Sequence, residues 1–251
     1  MTRLSPRRPP ACRRAARTEA GGRQPAMAAL IEGKKVYTEL PEIVDPRRSV
    51  LLVVDMQHEF CARGGAWYPK AGASPVDAAI PRVRDAVASA RKAGVSKIVY
   101  ARTAFLAEDA GWSLSPAYLY SLTRGGIRTT PLPCVDGAWG AEILPDLAPG
   151  PGDLVVTKMR PSAFLNTSLD LILRSNGVET VIVTGVETHT SIQATVRNST
   201  FHEYYTVVVT DCVASHDPGL HDAALSILET RVDLVALRDL ERAWAQAQRN
   251  R

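Results

Sequence analysis

The sequence predicts a three-layer α/β/α domain whose mostly parallel sheet has about six strands. Three observations predict it. Short β-branched apolar runs recur along the chain, and stretches of helical length separate them. Several runs also stop on a charged or turn-forming residue (Asp55, Lys158, Gly185, Asp211), as strands do at the carboxyl rim of an α/β sheet.

Ser49–Val54 (SVLLVV) is a continuous apolar run, the signature of a strand buried on both faces. Pro75 to Ala93 sets Ala79, Val83, Val87 and Ala90 at helical spacing, with Gly94 as the stop. Ser96–Ala101 (SKIVYA) is a second strand. Residues 103–150, rich in Gly, Pro and aromatics, read as an irregular active-site loop. Asp153–Thr157 (DLVVT) is a third strand leading into Lys158. Leu169–Ser175 reads as a short helix closed by Asn176-Gly177, and Thr180–Thr184 (TVIVT) as the fourth strand. A turn at Gly185 feeds a helix over roughly Thr190–His202, and Tyr205–Thr210 is the fifth strand, ending at Asp211. A helix from about Gly219 to Thr230 precedes a candidate sixth strand, Asp233–Leu237. Crossovers of this length make right-handed βαβ units.

The charge balance is uneven. Residues 1–26 hold seven Arg against one acid, Glu19, so the formal +4 belongs to that tail. The other 23 basic and 25 acidic residues leave net −2 and no footprint for nucleic acid. The Arg/Pro-rich tail has no apolar periodicity and is expected to be disordered, either a mobile extension or a segment ahead of a true start at Met27. Residues 27–47 read as a lead-in, and 48–251 as one domain. No run approaches the ~18 apolar residues of a membrane span, so a cytoplasmic protein without membrane association is expected. Cys12, Cys61, Cys134 and Cys212 show neither paired spacing nor His partners, which suits reduced thiols.

Asp55, Lys158 and the Gly185–Ser191 turn fall on one rim. A Lys beside an Asp keeps the carboxylate charged, and a strand-to-helix turn offers backbone N–H groups to an oxyanion. A capping Asp and a solvated Lys would explain the same residues without catalysis.

Four blocks, in order, carry a resemblance. Val53-Val54-Asp55-Met56-Gln57-His58-Glu59-Phe60 resembles the VDMQ-x-x-F opening of the isochorismatase-like (cysteine hydrolase) superfamily. Gly152-Asp153 through Lys158-Met159-Arg160-Pro161-Ser162-Ala163-Phe164 is similar to its GD-x-V-x-x-K-x-R-x-S-A-F segment. Val183 to Ile192 resembles its V-T-G-V-x-T-x-x-C-V turn, and Val207–Ser215 the strand that follows. The likeness spans about residues 48–238. It implies Asp55 as general base and Lys158 as its partner. It also implies a non-proline cis peptide between Val186 and Glu187, with the N–H groups of Glu187 and Ser191 forming an oxyanion hole. Gln57, Phe60 and His189 are the implied substrate contacts, and a homodimer or homotetramer is the implied assembly. Nicotinamidases of the family bind metal through an Asp-x-His that is here Arg102-Thr103-Ala104, so neither metal nor cofactor is expected.

One departure matters for mechanism: Ser191 stands where the amidohydrolases carry Cys. Serine has a far higher pKa than a thiol and needs a strong adjacent base. Three readings follow. Ser191 attacks a small amide or ureide; or Asp55 serves as acid for a vinyl ether without a covalent nucleophile; or the chain is a non-catalytic binding homologue or an enzyme inactivated by a Cys-to-Ser change. Amide or ureide hydrolysis ranks first, because Gly137–Asp153 resembles the amidohydrolase branch. Trp67, Trp112, Tyr118 and Tyr120 suit a pocket lid or a covered core edge equally. His202, His216 and His221 suit surface or capping roles.

Overall fold

The computed structural model describes residues 29–70, 72–107, 111–127 and 131–249; the tail over 1–26 lies outside them. The segment read as a lead-in carries structure. Ala29–Ile31 (β1) and Lys34–Val36 (β2) pair antiparallel, and Leu40–Ile43 (α1) makes one helical turn. The Tyr37 amide donates to the Tyr205 hydroxyl at 3.0 Å, which ties this segment to the main domain.

That domain runs β3 (Ser49–Val54), α2 (His58–Cys61), α3 (Pro75–Ala93), β4 (Lys97–Thr103), α4 (Pro116–Arg124), β5 (Leu154–Lys158), α5 (Leu169–Ser175) and β6 (Thr180–Val186). It continues with α6 (Gln193–Phe201), β7 (Tyr205–Ala214), α7 (Pro218–Leu228), β8 (Asp233–Val235) and α8 (Leu237–Arg249). Local chemistry sets the longest early helix. Ser74 accepts from the Val76 N–H, the Asp77 carboxylate accepts from the Ser74 N–H, Pro75 opens the first turn, and Gly94 closes α3 at φ +71°.

The sheet order is β5-β4-β3-β6-β7-β8, with every pairing parallel. Strand order therefore reverses at β3 and β6, and a crevice opens beyond their carboxyl ends. Both faces are covered, which explains the continuous apolar strands. Leu51, Val53, Ile98, Tyr100, Ile182 and Val207 pack under α3 and α8. Val50, Leu52, Val54, Val99, Val181 and Val183 pack under α5, α6 and α7.

One glycine fixes the crevice. At Gly185, φ is +112°, and a Cβ built there would lie 2.0 Å from the Val54 carbonyl oxygen. The ends of β3 and β6 can approach this closely only without a side chain. The β6–β7 register also shifts between Val183 and Gly185, so β6 leaves the ladder just where its rim begins.

Two helices depart from the sequence reading. α4 lies inside the stretch read as irregular; it has no fully buried residue, so its apolar pattern is faint. The sixth strand is only Asp233–Val235, and Leu237 opens α8 instead of ending a strand. Leu237, Leu240, Ala243 and Trp244 form the buried stripe of that helix. Among the described residues, no helix is long and apolar enough to cross a membrane.

Candidate active site

The chain turns sharply as it leaves β3. Asp55 sits at φ +53°, a left-handed conformation that Asp tolerates better than most residues and that is frequent at functional sites. Its N–H still donates to the Ala101 carbonyl at 2.9 Å, while its carbonyl already accepts from the Gln57 N–H at 2.8 Å.

Lys158 ends β5, two strands away. Its Nζ donates to Asp55 Oδ2 at 2.8 Å and to Thr103 Oγ1 at 2.8 Å. Thr103, the last residue of β4, donates in turn to Asp55 Oδ1 at 2.9 Å. The three side chains close a hydrogen-bonded ring that occupies both carboxylate oxygens. The Lys158 and Asp55 side chains are 1% and 0% exposed, so neither charge is screened by water. Removing either would strand the other in a medium that penalises lone charges by several kcal/mol, roughly 3–5. The Lys158 ammonium also reaches the Arg160 carbonyl (3.3 Å) and Ser191 Oγ (3.4 Å), so these two longer contacts share its remaining N–H.

Ser191 comes from the turn after β6. The Val186–Glu187 peptide bond is cis, and Thr188–Ile192 forms a π-helical turn that runs straight into α6. Such wide turns are frequent at functional sites. The Thr190 and Ile192 N–H groups both donate to the Glu187 carbonyl at 3.1 Å, which fixes the turn around Ser191.

A pocket of about 190 Å³ opens over these residues. Lys158, Thr103 and Ser191 are part of its polar wall, while Phe60, Trp67, Phe105, Tyr118 and Ile127 supply an apolar one. Phe60 and Trp67 stack at 4.6 Å between ring centroids. His216 holds that wall in place. A carbonyl can only accept, so Nε2 carries the proton donated to the Phe60 carbonyl (2.9 Å), and Nδ1 accepts from the Ser74 hydroxyl (2.7 Å).

Two expected substrate contacts need correction. Gln57 is fully buried, and its carboxamide is committed to backbone. Nε2 donates to the Thr103 (2.7 Å) and Ala141 (2.8 Å) carbonyls, and Oε1 accepts from the Thr103 N–H (2.7 Å). It extends the β4 edge like an added strand residue and so positions Thr103. His189 lies outside the pocket wall, with Nδ1 against Ser215 Oγ at 2.9 Å. The π-helical turn instead brings the adjacent Thr190 and Ser191 to the pocket wall and leaves His189 against Ser215, just past the end of β7. Phe60, Glu187 and Ser191 do line the pocket, as do Trp67 and Tyr118; Trp112 and Tyr120 are exposed outside it. Thr103 is a pocket residue to which the sequence reading gave no role of its own. Its position at a strand's carboxyl end, the rule that singled out Asp55, was the available signal.

Among the described residues, Cys61, Cys134 and Cys212 take no part in this wall. Burial pushes the thiols of Cys61 and Cys134 well up, and the Asp55 carboxylate adds to both. Burial, followed by the adjacent Asp211 carboxylate, pushes Cys212 up to about 12.

Residues 49–238 match the isochorismatase domain family. The chain is 36% identical to the ureidoacrylate amidohydrolase RutB of Methylobacterium radiotolerans, over 76% of each protein. It is 35% identical to the ureidoacrylate amidohydrolase RutB of Enterobacter sp. (strain 638), over 74% of this chain and 84% of that one. Among solved structures, an isochorismatase family protein from Desulfovibrio vulgaris superposes with a TM-score of 0.68 at 28% identity, covering 79% of this chain and 99% of that one.

Proposed function

The chain belongs to the isochorismatase family, and on that premise we propose that it cleaves an amide or ureide C–N bond of a small molecule, with Ser191 as nucleophile. It is a hydrolase, and the identity to two ureidoacrylate amidohydrolases supports a ureide as the first substrate to try. The observation that carries the mechanism is the ring of Asp55, Lys158 and Thr103, with Ser191 Oγ 3.4 Å from the same ammonium.

Ser191 Oγ attacks the substrate carbonyl carbon as its proton passes to Asp55. Asp55 then delivers that proton to the leaving nitrogen as the C–N bond breaks. Water then attacks the resulting ester or carbamate as Asp55 takes its proton, and Asp55 returns that proton to Ser191 Oγ as the acyl C–O bond breaks. The oxyanion of each tetrahedral intermediate is placed against the N–H groups of Glu187 and Ser191, while Lys158 offsets the charge that shuttles through Asp55. An alcohol releases its proton only as the new bond forms, whereas a thiol ionises beforehand. A fixed, buried acceptor therefore matters more with Ser191 than it would with a cysteine.

The test is turnover of ureidoacrylate, a simple amide panel and isochorismate by wild type, Ser191→Ala, Ser191→Cys and Asp55→Asn. We expect C–N cleavage by wild type, a loss of about 10³-fold or more in kcat for Ser191→Ala and Asp55→Asn, and measurable activity in Ser191→Cys. Undiminished activity in Ser191→Ala would refute the serine nucleophile. Turnover of isochorismate alone would replace the C–N reading with vinyl-ether cleavage.

A further inference from the structure

Three consecutive residues of the turn that carries Ser191 are gripped by one connection elsewhere in the chain, the segment from the end of β7 into α7. Asp217 fixes where α7 starts. Its Oδ1 accepts from the Leu220 N–H at 3.0 Å, its carbonyl accepts from the His221 N–H at 3.0 Å, and Pro218 opens the helix. That start sets His221 in the first turn of α7, facing the turn after β6. The His216 backbone N–H donates to Glu187 Oε1 at 3.3 Å. His221 Nδ1 lies 2.8 Å from Thr188 Oγ1. Ser215 Oγ accepts from the His189 N–H at 3.4 Å and meets His189 Nδ1 at 2.9 Å. β6 and α6 hold the two ends of the turn, and these contacts hold its middle.

The central contact matters most. Thr188 is fully buried, and among the described residues its hydroxyl meets only His221. Neither residue lines the substrate pocket; His221 and Ser215 instead line a separate cavity of about 410 Å³. From this geometry we infer that His221 is a positioning residue for the reaction: through Thr188 it aims the backbone N–H groups of Glu187 and Ser191 at the oxyanion. The inference rests on the proposed part of those N–H groups in hydrolysis, but the anchoring of the turn does not. Losing the contact leaves a buried hydroxyl unpaired, which the turn relieves only by rotating at Thr188. Glu187, the preceding residue, moves with it. Oxyanion donors act only when they are in place beforehand, so a shift of a fraction of an ångström falls on the transition state and not on substrate binding.

Two measurements on the full-length protein test it. The first is the kinetics of ureidoacrylate hydrolysis. His221→Leu should lower kcat about 10- to 100-fold with KM unchanged, and His221→Asn, which can return a polar atom to the place of Nδ1, should recover much of the rate. Thr188→Val removes the other end of the contact and should cost a similar factor, with the double variant no worse than either single one. Wild-type kcat in His221→Leu, a loss confined to KM, or losses that multiply in the double variant would overturn the inference. Where His221→Leu does not fold, Thr188→Val against Thr188→Ser makes the same comparison. The second measurement, amide exchange followed by NMR, needs no substrate. In His221→Leu the Thr190 and Ile192 N–H groups, which donate to the Glu187 carbonyl, should exchange about tenfold faster or more, while Val181 and Val183 in β6 keep their wild-type rates. That pattern in a protein that cleaves no ureide or amide would sink the hydrolase reading and leave the anchor standing. Unchanged exchange in the turn, or equal acceleration in β6, would overturn the anchor itself.

Discussion

Thr103 is small and uncharged, yet its hydroxyl links both members of the buried ion pair. Replacing it by Val keeps the shape and leaves one Asp55 oxygen and one Lys158 N–H without their partner. At about 1–3 kcal/mol for unpaired buried groups, Thr103→Val should lower kcat roughly 10- to 100-fold. KM should change little, because the carboxylate and not the substrate loses a contact. Thr103→Ser, which restores the hydroxyl, should recover most of the rate; equal rates in Val and Ser variants would dismiss the role. At this scale the sequence was partly legible. Asp55 and Lys158 were singled out at strand ends and Ser191 by its place in the turn after β6, and the three do meet around one ammonium. Gln57 was placed correctly but given the wrong task, since nothing in a residue's type reveals which backbone groups its amide will meet.

Helix α8 depends on a residue of another element. Asp211, in β7, accepts from the Leu237 N–H at 2.8 Å and pairs with Arg82 of α3 at 2.5 Å, so one carboxylate joins a strand to two helices. Burial alone would raise its pKa, but the Arg82 guanidinium and the Leu237 N–H more than offset this, and the net shift is downward. A folded value below the unfolded one gives stability that is present above the unfolded pKa of about 3.9 and fades as pH falls through the folded value. Asp211→Ala should therefore cost about 1 kcal/mol at neutral pH, the usual worth of a helix cap. In urea melts the gap to wild type should narrow toward pH 2; a gap constant with pH would contradict the electrostatic part. Elements with strong punctuation, such as α3 between Ser74 and Gly94, were legible to the residue. α8 was not, because its start is set by Asp211, which lies 26 residues upstream.

For the molecule as a whole, burial on both faces of the sheet made the fold readable, since doubly covered strands are written as unbroken apolar runs. The pocket was less so, because its wall draws on segments whose only shared property is where they meet. The same coverage shields the thiols. Cys61, Cys134 and Cys212 are all buried with pKa values pushed upward. Native protein treated with iodoacetamide at pH 8 should leave the peptides carrying these three unlabelled, and denatured protein should label all of them. Rapid native labelling of Cys61 would show that the floor beneath Asp55 opens. The reversal of strand order at β3 and β6, which opens the crevice, also has a cost during synthesis. A chain emerging from its N-terminus can lay β4 and β5 on one flank of β3 while the other flank waits for β6. Until then the most apolar strand of the protein presents a bare hydrogen-bonding edge, the surface on which neighbouring nascent chains would pair. The period of greatest risk for the newborn chain therefore ends only with the segment that delivers Ser191.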